Sequence, residues 1–348
     1  MNLHSHEIVV NYNPDGSAAG RADYIAGQVD FAASDVAFRT AADPFFSGPP
    51  REVVPWGYSY VPDVAGGLAF MYHLSVHGHL IRNLRLSDSA IMKIFTGKIT
   101  NWDNPEITRS YGKQLPSIPI VPVIHSEGSG DSYFFSRWLA HIFPSQWDAF
   151  CAKVSYGRVK PPCLATEFYP EGWGASVAQN GSNNVASYIS ASYGQGAIGL
   201  VEYAYALDAH SPVAKMRNPA GRYVLPTASN VTIALTRAII NENPRSPDFL
   251  QQDLDQVYTY RNPESYPLAS YSYLIVPRTG KKPVPPQFSR ADGRTLSVYV
   301  DYLLCRGQRQ SAELGYAPLP VSLVKAGLQQ VDHIPGHVRR VPSFAACR

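Results

Sequence analysis

Two serines stand in glycine-rich turns in distant parts of the chain, Gly16-Ser17-Ala18-Ala19-Gly20 and Glu127-Gly128-Ser129-Gly130-Asp131-Ser132, and an aspartate, Asp35, follows the first turn. Each turn lies between a strand-like run (residues 7–12 and 118–124) and a helix-like one. The opening turn of a helix has unpaired backbone N–H groups and the positive end of the helix dipole, so a strand–Gly/Ser–helix junction is a ready cradle for an anion. Two such junctions in one chain predict a cleft that closes on a small oxyanion.

The elements that must position these turns can be read from local pattern. Residues 7–12, 29–33, 66–74, 118–124, 197–203 and 270–276 are β-rich or apolar runs suited to strands. Helical spacing covers 19–27, 87–95, 133–143, 183–192, 294–305 and 320–331, with Ser87 as a cap and Gly97 as a stop for the second. Strands alternating with helices predict an α/β protein with a largely parallel sheet.

Bulk properties narrow the class of partner. The 348 residues leave room for two domains, and 45% apolar against 16% charged residues suits a globular chain. The net charge is only +3, and apart from Arg339-Arg340 the basic residues are scattered, so nucleic acid is not expected. No apolar run is long enough to span a bilayer. Ten histidines include no H-E-x-x-H pair and four cysteines (Cys151, Cys163, Cys305, Cys347) no C-x-x-C, so neither a metal nor another cofactor is expected. The cysteines are buried thiols or, in an oxidising compartment, disulfides; Cys151 and Cys163 flank a Pro-rich loop and could close a local one, and three pairings remain open. The 29 prolines and 22 tyrosines give the chain a loop-rich, exported character, although the first residues carry no secretory signal.

In order along the chain, residues 27–35 (GQVDFAASD), 94–102 (IFTGKITNW), 127–132 (EGSGDS), 196–206 (GAIGLVEYAYA) and 314–320 (LGYAPLP) resemble the phosphate-binding component of the high-affinity phosphate ABC transporter. The Tyr- and Pro-rich insertions resemble its actinobacterial branch. The resemblance implies a two-lobed, class II periplasmic-binding-protein fold, two α/β lobes joined by two crossover strands with phosphate between them. The crossovers would lie near residues 68–74 and 271–276. Lobe one would be 1–72 plus 268–348 and lobe two 75–265. It further implies an exported or envelope-associated monomer that delivers phosphate to membrane permease subunits, the exposed part of 94–102 facing them, with Phe95 and Trp102 as packing residues.

Carried over by motif, Ser17, Asp35, Ser129, Gly130 and Asp131 match the family's ligand-contacting positions, and the chemistry of the residues agrees. Serine hydroxyls and backbone N–H groups donate to phosphate oxygens. A carboxylate at Asp35 repels an oxyanion unless it accepts a hydrogen bond from a protonated oxygen; sulfate has no such proton at neutral pH and is rejected. Asp131 would be a second acceptor. Position 125 departs from the family, which has an arginine there. His125 cannot make a forked contact and, at an ordinary pKa near 6.5, is fully charged only in mild acid, so binding is expected to be tighter near pH 6 than pH 8.

The resemblance also implies an earlier strand, turn and helix before residue 7, and that first unit of lobe one is missing from this sequence. A misassigned start and a truncated paralogue both explain this. Two other functions stand beside phosphate delivery. One is an exported binding or surface protein with weak or altered anion specificity. The other is a serine phosphatase or esterase using Ser129, His125 and Asp131, although Ser129 is not in a G-x-S-x-G elbow.

Overall fold

A computed structural model describes residues 2–3 and 6–338, with side chains from residue 8 onward. Cys347 and the pair Arg339-Arg340 lie outside the described residues. A six-stranded sheet organises the molecule. Its strands are β1 (Ala32–Ser34), β2 (Tyr58–Tyr72), β3 (Val121–His125), β4 (Val177–Gln179), β5 (Ala197–Glu202) and β6 (Ala269–Pro277). Their spatial order is β1-β6-β2-β5-β3-β4.

The 15-residue β2 joins the two lobes. Its residues 58–67 pair with β6, and its residues 68–72 pair with β5. Gly66 and Gly67 lie where the strand changes partner. The chain returns at Leu268, whose carbonyl accepts the Leu68 N–H at 2.9 Å, and enters β6 directly. Because the two connecting strands run in opposite senses, they pair antiparallel, and the expectation of a largely parallel sheet gives way to a mixed one. Within this sheet β5–β3 and β3–β4 are parallel, and β1–β6, β6–β2 and β5–β2 are antiparallel.

Helices pack on both lobes: α1 (Ser17–Ala26), α2 (Asp88–Phe95), α3 (Gly130–Ile142), α4 (Gly181–Ser190), α5 (Arg290–Leu304) and α6 (Val321–Val331). Ser87 caps α2 by accepting the Ala90 N–H, and Gly97, at φ 70°, turns the chain out of it. Helices also form at Pro105–Tyr111 and Ala228–Leu235, capped by Asn104 and Thr227, and at Pro144–Val154 with proline in its first turn. Phe95 and Trp102 are fully buried, as expected of packing residues. Cys151 and Cys163 form a disulfide.

The strand expected at 7–12 is absent. His6–Glu7 pairs only with Asn2–Leu3, and residues 8–16 are irregular, with Val9 and Tyr12 exposed. Alternation alone cannot hold a strand without a neighbour to pair with, and Pro14 and Gly16 end the run. β1 is the edge of the sheet, and a cavity of about 410 Å³ lies between it, residues 8–13 and α5.

Candidate functional site

The two glycine–serine turns meet. Ser17, Asp35, Ser129, Gly130 and Asp131 line one cleft of about 390 Å³ between the lobes. The Ala18 N–H donates to the Gly128 carbonyl at 3.0 Å, tying the start of α1 to the turn before α3. A Cβ added at Gly128 would come within 2.5 Å of the Ala18 methyl, and one added at Gly130 would strike the Asp35 carboxylate. Both positions need a residue without a side chain for the corners to close.

Each serine has a local task that leaves its proton free. Ser129 is the N-cap of α3, its Oγ accepting the Asp131 N–H at 3.1 Å while its own N–H donates to the Glu167 carbonyl at 2.9 Å. Ser17 is the first residue of α1, after Gly16 at φ 90°, and its Oγ accepts the Asp35 N–H at 3.2 Å. With an accepted bond fixing each oxygen, the O–H is free to donate to a bound anion. The first-turn N–H groups of Gly130 and Ser132 have no acceptor within α3 and add to the cradle.

The cleft-facing charge is negative. Asp35, Asp63, Glu127, Asp131 and Glu202 line it, with no Lys, Arg or His side chain among the described lining residues. Burial pushes Asp35 up to about 6; a Ser272 hydrogen bond and Arg21 oppose the rise, while Asp131 and Glu167 add to it. Burial, Asp35 and Asp131 push Glu202 to about 8, although the Tyr316 hydroxyl donates to it at 2.6 Å. Burial alone lifts Asp63 to about 6. Asp63 sits in a β-bulge: Ser272 pairs with Val64 and Tyr273 with Pro62, leaving Asp63 as the extra residue turned toward the cleft.

Positive charge stands behind this layer. His125, the last residue of β3, does not line the cleft. It is buried, with Nδ1 at 2.6 Å from Glu127 Oε1 and Nε2 at 3.2 Å from Asp131 Oδ2 and 3.1 Å from the Leu200 carbonyl. Burial opposes its charge, but the two carboxylates prevail and raise it to about 10, and the same contact holds Glu127 below the usual carboxylate range. The expectation that His125 touches ligand and charges only in mild acid is therefore corrected. It is an imidazolium at neutral pH that supports Asp131 from behind.

Sequence reasoning missed the second cation. Arg21, fully buried on α1, donates through Nε and Nη2 to Glu52 at 2.9 and 3.2 Å, through Nη2 to Glu167 at 2.7 Å and through Nη1 to Ser34 at 3.1 Å. One signal was available: Arg21 is four residues past Ser17 and so shares its helix face. Asp63, Glu202, Ser272 and Tyr316 were missed as well, since each reaches the cleft only through tertiary folding. For the serine-hydrolase reading, both ring nitrogens of His125 are occupied and neither contacts Ser129.

Two α/β lobes joined by paired strands, with a helix start from each lobe opening on one cleft, define a two-lobed binding protein of the periplasmic-binding-protein class. The chain belongs to the PBP superfamily, whose domain model matches residues 4–306. It is 27% identical over 318 residues to the phosphate-binding protein PstS of Xylella fastidiosa, covering 91% of this chain and 75% of that one. It is 25% identical over 322 residues to phosphate-binding protein PstS 2 of Mycobacterium tuberculosis, covering 90% and 76%. The fold superposes with a TM-score of 0.61 on a phosphate-binding protein from Stenotrophomonas maltophilia, at 17% identity and with 90% and 85% of the chains covered.

Proposed function

We propose that this protein is a solute-binding protein that captures inorganic phosphate between its lobes and delivers it to an ABC permease. The observation that carries the reading is the meeting of Ser17, Asp35 and Ser129 around one cleft, with a helix start from each lobe. The names of its relatives, phosphate-binding proteins of the PstS type, point the same way. Ser17 and Ser129 donate to the anion, and Gly130 lets the backbone approach. Asp35, at about 6, is mainly ionised at neutral pH and accepts from a protonated phosphate oxygen. Sulfate offers no such proton, and its binding would leave that carboxylate unpaired. Export of a monomer fits the family, and a disulfide at Cys151–Cys163 fits an oxidising compartment.

The test is titration calorimetry with phosphate and with sulfate at about pH 6, 7 and 8. Phosphate affinity is expected to rise as pH falls from 8 to 6, because Glu202 and then Asp35 lose charge beside the anion. His125 stays charged throughout and adds no slope. Preference over sulfate is expected to shrink below about pH 6, where Asp35 becomes a donor. Absence of heat with phosphate throughout would reject the reading. One observation favours a second reading, a surface or binding protein of altered anion specificity: among the described residues, five carboxylates and no basic side chain face the cleft. A stronger response to another oxyanion in the same titration would select it.

A further inference from the structure

We propose that Arg21 is a positioning residue for anion capture, joining the two glycine–serine corners through Glu167 and placing a fixed positive charge behind Asp35. The inference rests on the phosphate reading above and goes beyond it by assigning a working role to a residue that never touches the ligand.

The geometry is a chain of contacts between the lobes. Arg21 sits one turn into α1, the helix that begins at Ser17. Its Nη2 donates to Glu167 Oε2 at 2.7 Å, and the Glu167 carbonyl accepts the Ser129 N–H at 2.9 Å. One residue therefore receives the lobe-one helix through its carboxylate and the lobe-two corner through its backbone. Asp43 fastens the same segment, its carboxylate accepting the Glu167 N–H at 2.8 Å and the Thr166 hydroxyl at 2.6 Å. Arg21 also shapes the turn that presents Asp35: its Nη1 donates to Ser34 Oγ at 3.1 Å, and that hydroxyl donates to the Val36 carbonyl at 2.7 Å. Four directed guanidinium bonds of this kind need the planar fork of arginine.

The electrostatic role follows from what surrounds Asp35. Arg21 faces it from α1, Ser272 and Tyr273 from β6, Asp131 from α3, Glu202 from β5 and Glu167 from the connecting segment, with the phenols of Tyr12, Tyr205 and Tyr316 nearby. Arg21 is the cation of this set. Burial and the neighbouring carboxylates raise Asp35; Arg21 opposes them, and more strongly than Glu167 acts in the other direction. Arg21 itself is charged at every accessible pH, since Glu167 and Glu52 outweigh its burial. The Ser272 hydrogen bond and this fixed charge together keep Asp35 an acceptor at neutral pH, which the rejection of unprotonated oxyanions requires.

The experiment compares wild type with Arg21→Lys, Arg21→Gln and Glu167→Gln. Phosphate affinity is measured against pH by calorimetry, and the Asp35 carboxyl is titrated by carbon-13 NMR in ligand-free protein, with Asp35→Asn for assignment. Arg21→Gln is expected to move the Asp35 midpoint up by about half a unit or more, and Glu167→Gln to move it down. Arg21→Lys is expected to keep the midpoint near wild type while weakening phosphate binding several-fold, because an ammonium cannot hold Glu52, Glu167 and Ser34 together. A purely structural role would weaken binding in all three without opposite shifts. Unmoved midpoints, or shifts of the same sign in Arg21→Gln and Glu167→Gln, would overturn the proposal. If Arg21→Gln does not fold, the downward shift in Glu167→Gln and the retained midpoint in Arg21→Lys still decide it. If wild type binds no phosphate, the phosphate reading fails, and the carboxyl titration decides the role of Arg21 by itself.

Discussion

The two corners of the cleft solve one problem differently. Each presents a serine and a carboxylate to the cleft, and each keeps a cation behind the carboxylate. In lobe one that cation is Arg21, permanently charged and bonded across to lobe two through Glu167. In lobe two it is His125, charged only because Glu127 and Asp131 flank it, with all its polar contacts inside that lobe. The difference separates two functions of buried charge. A guanidinium can cross-link lobes and hold a fixed potential, whereas an imidazolium between two carboxylates gives local support that depends on its neighbours.

Removing His125 should break the lobe-two corner most severely. His125→Ala leaves Glu127 and Asp131 facing each other in a buried setting, and urea denaturation should show a loss of about 3–5 kcal/mol, the usual cost of leaving a buried charge unpaired. A loss under about 1 kcal/mol would mean that His125 is not the counter-charge. Gly130→Ala tests closure between the corners. Its Cβ would meet Asp35, and calorimetry should show phosphate affinity falling by about a hundredfold while helix content stays the same. Unchanged affinity would show that the bound state does not bring Gly130 against Asp35.

Stability against pH sharpens the comparison further. Asp35, Asp63 and Glu202 are raised in the folded protein to about 6, 6 and 8, above the ordinary carboxylate value near 4. The folded state therefore holds more protons than the unfolded state in this window, and stability falls as pH rises from about 4 to about 8. His125 adds to the same trend: its stabilisation is complete below about 6.5 and is lost as pH rises through about 10. Melting temperature should therefore be higher near pH 5.5 than near pH 8, and Asp63→Asn should flatten the slope. A rising profile would contradict the assigned burial. The smallest effects are at the serines. Ser129→Ala removes a helix cap and Ser17→Ala removes the acceptor of the Asp35 N–H, and urea denaturation should show a cost of about 1 kcal/mol for each.

These expectations also show why some parts of the site were legible. The turn at residues 127–132 announces itself because capping is local: Ser129 bonds an N–H two residues away. The helix caps at Ser87 and Ser129 are of this kind. The strand expected at 7–12 failed for the opposite reason, since a strand needs a partner that alternation does not supply. The charge of His125 is not legible locally, because its protonation depends on Asp131 and Glu127 closing around it. Arg21 escaped notice because its partners lie 31 and 146 residues away.

By itself, then, the order of residues determined where helices begin, which glycines and serines stand at those beginnings, and the alternation of α and β segments from which two lobes are built. These depend on backbone geometry and neighbours a few residues apart. Only the tertiary structure decided that the connecting strands run antiparallel, that Asp63 bulges into the cleft, and that Arg21 and His125 stand behind the carboxylates and not in the lining of the cleft. Charge state and direction of approach depend on burial and on partners far along the chain, and those exist only after the lobes have folded against each other.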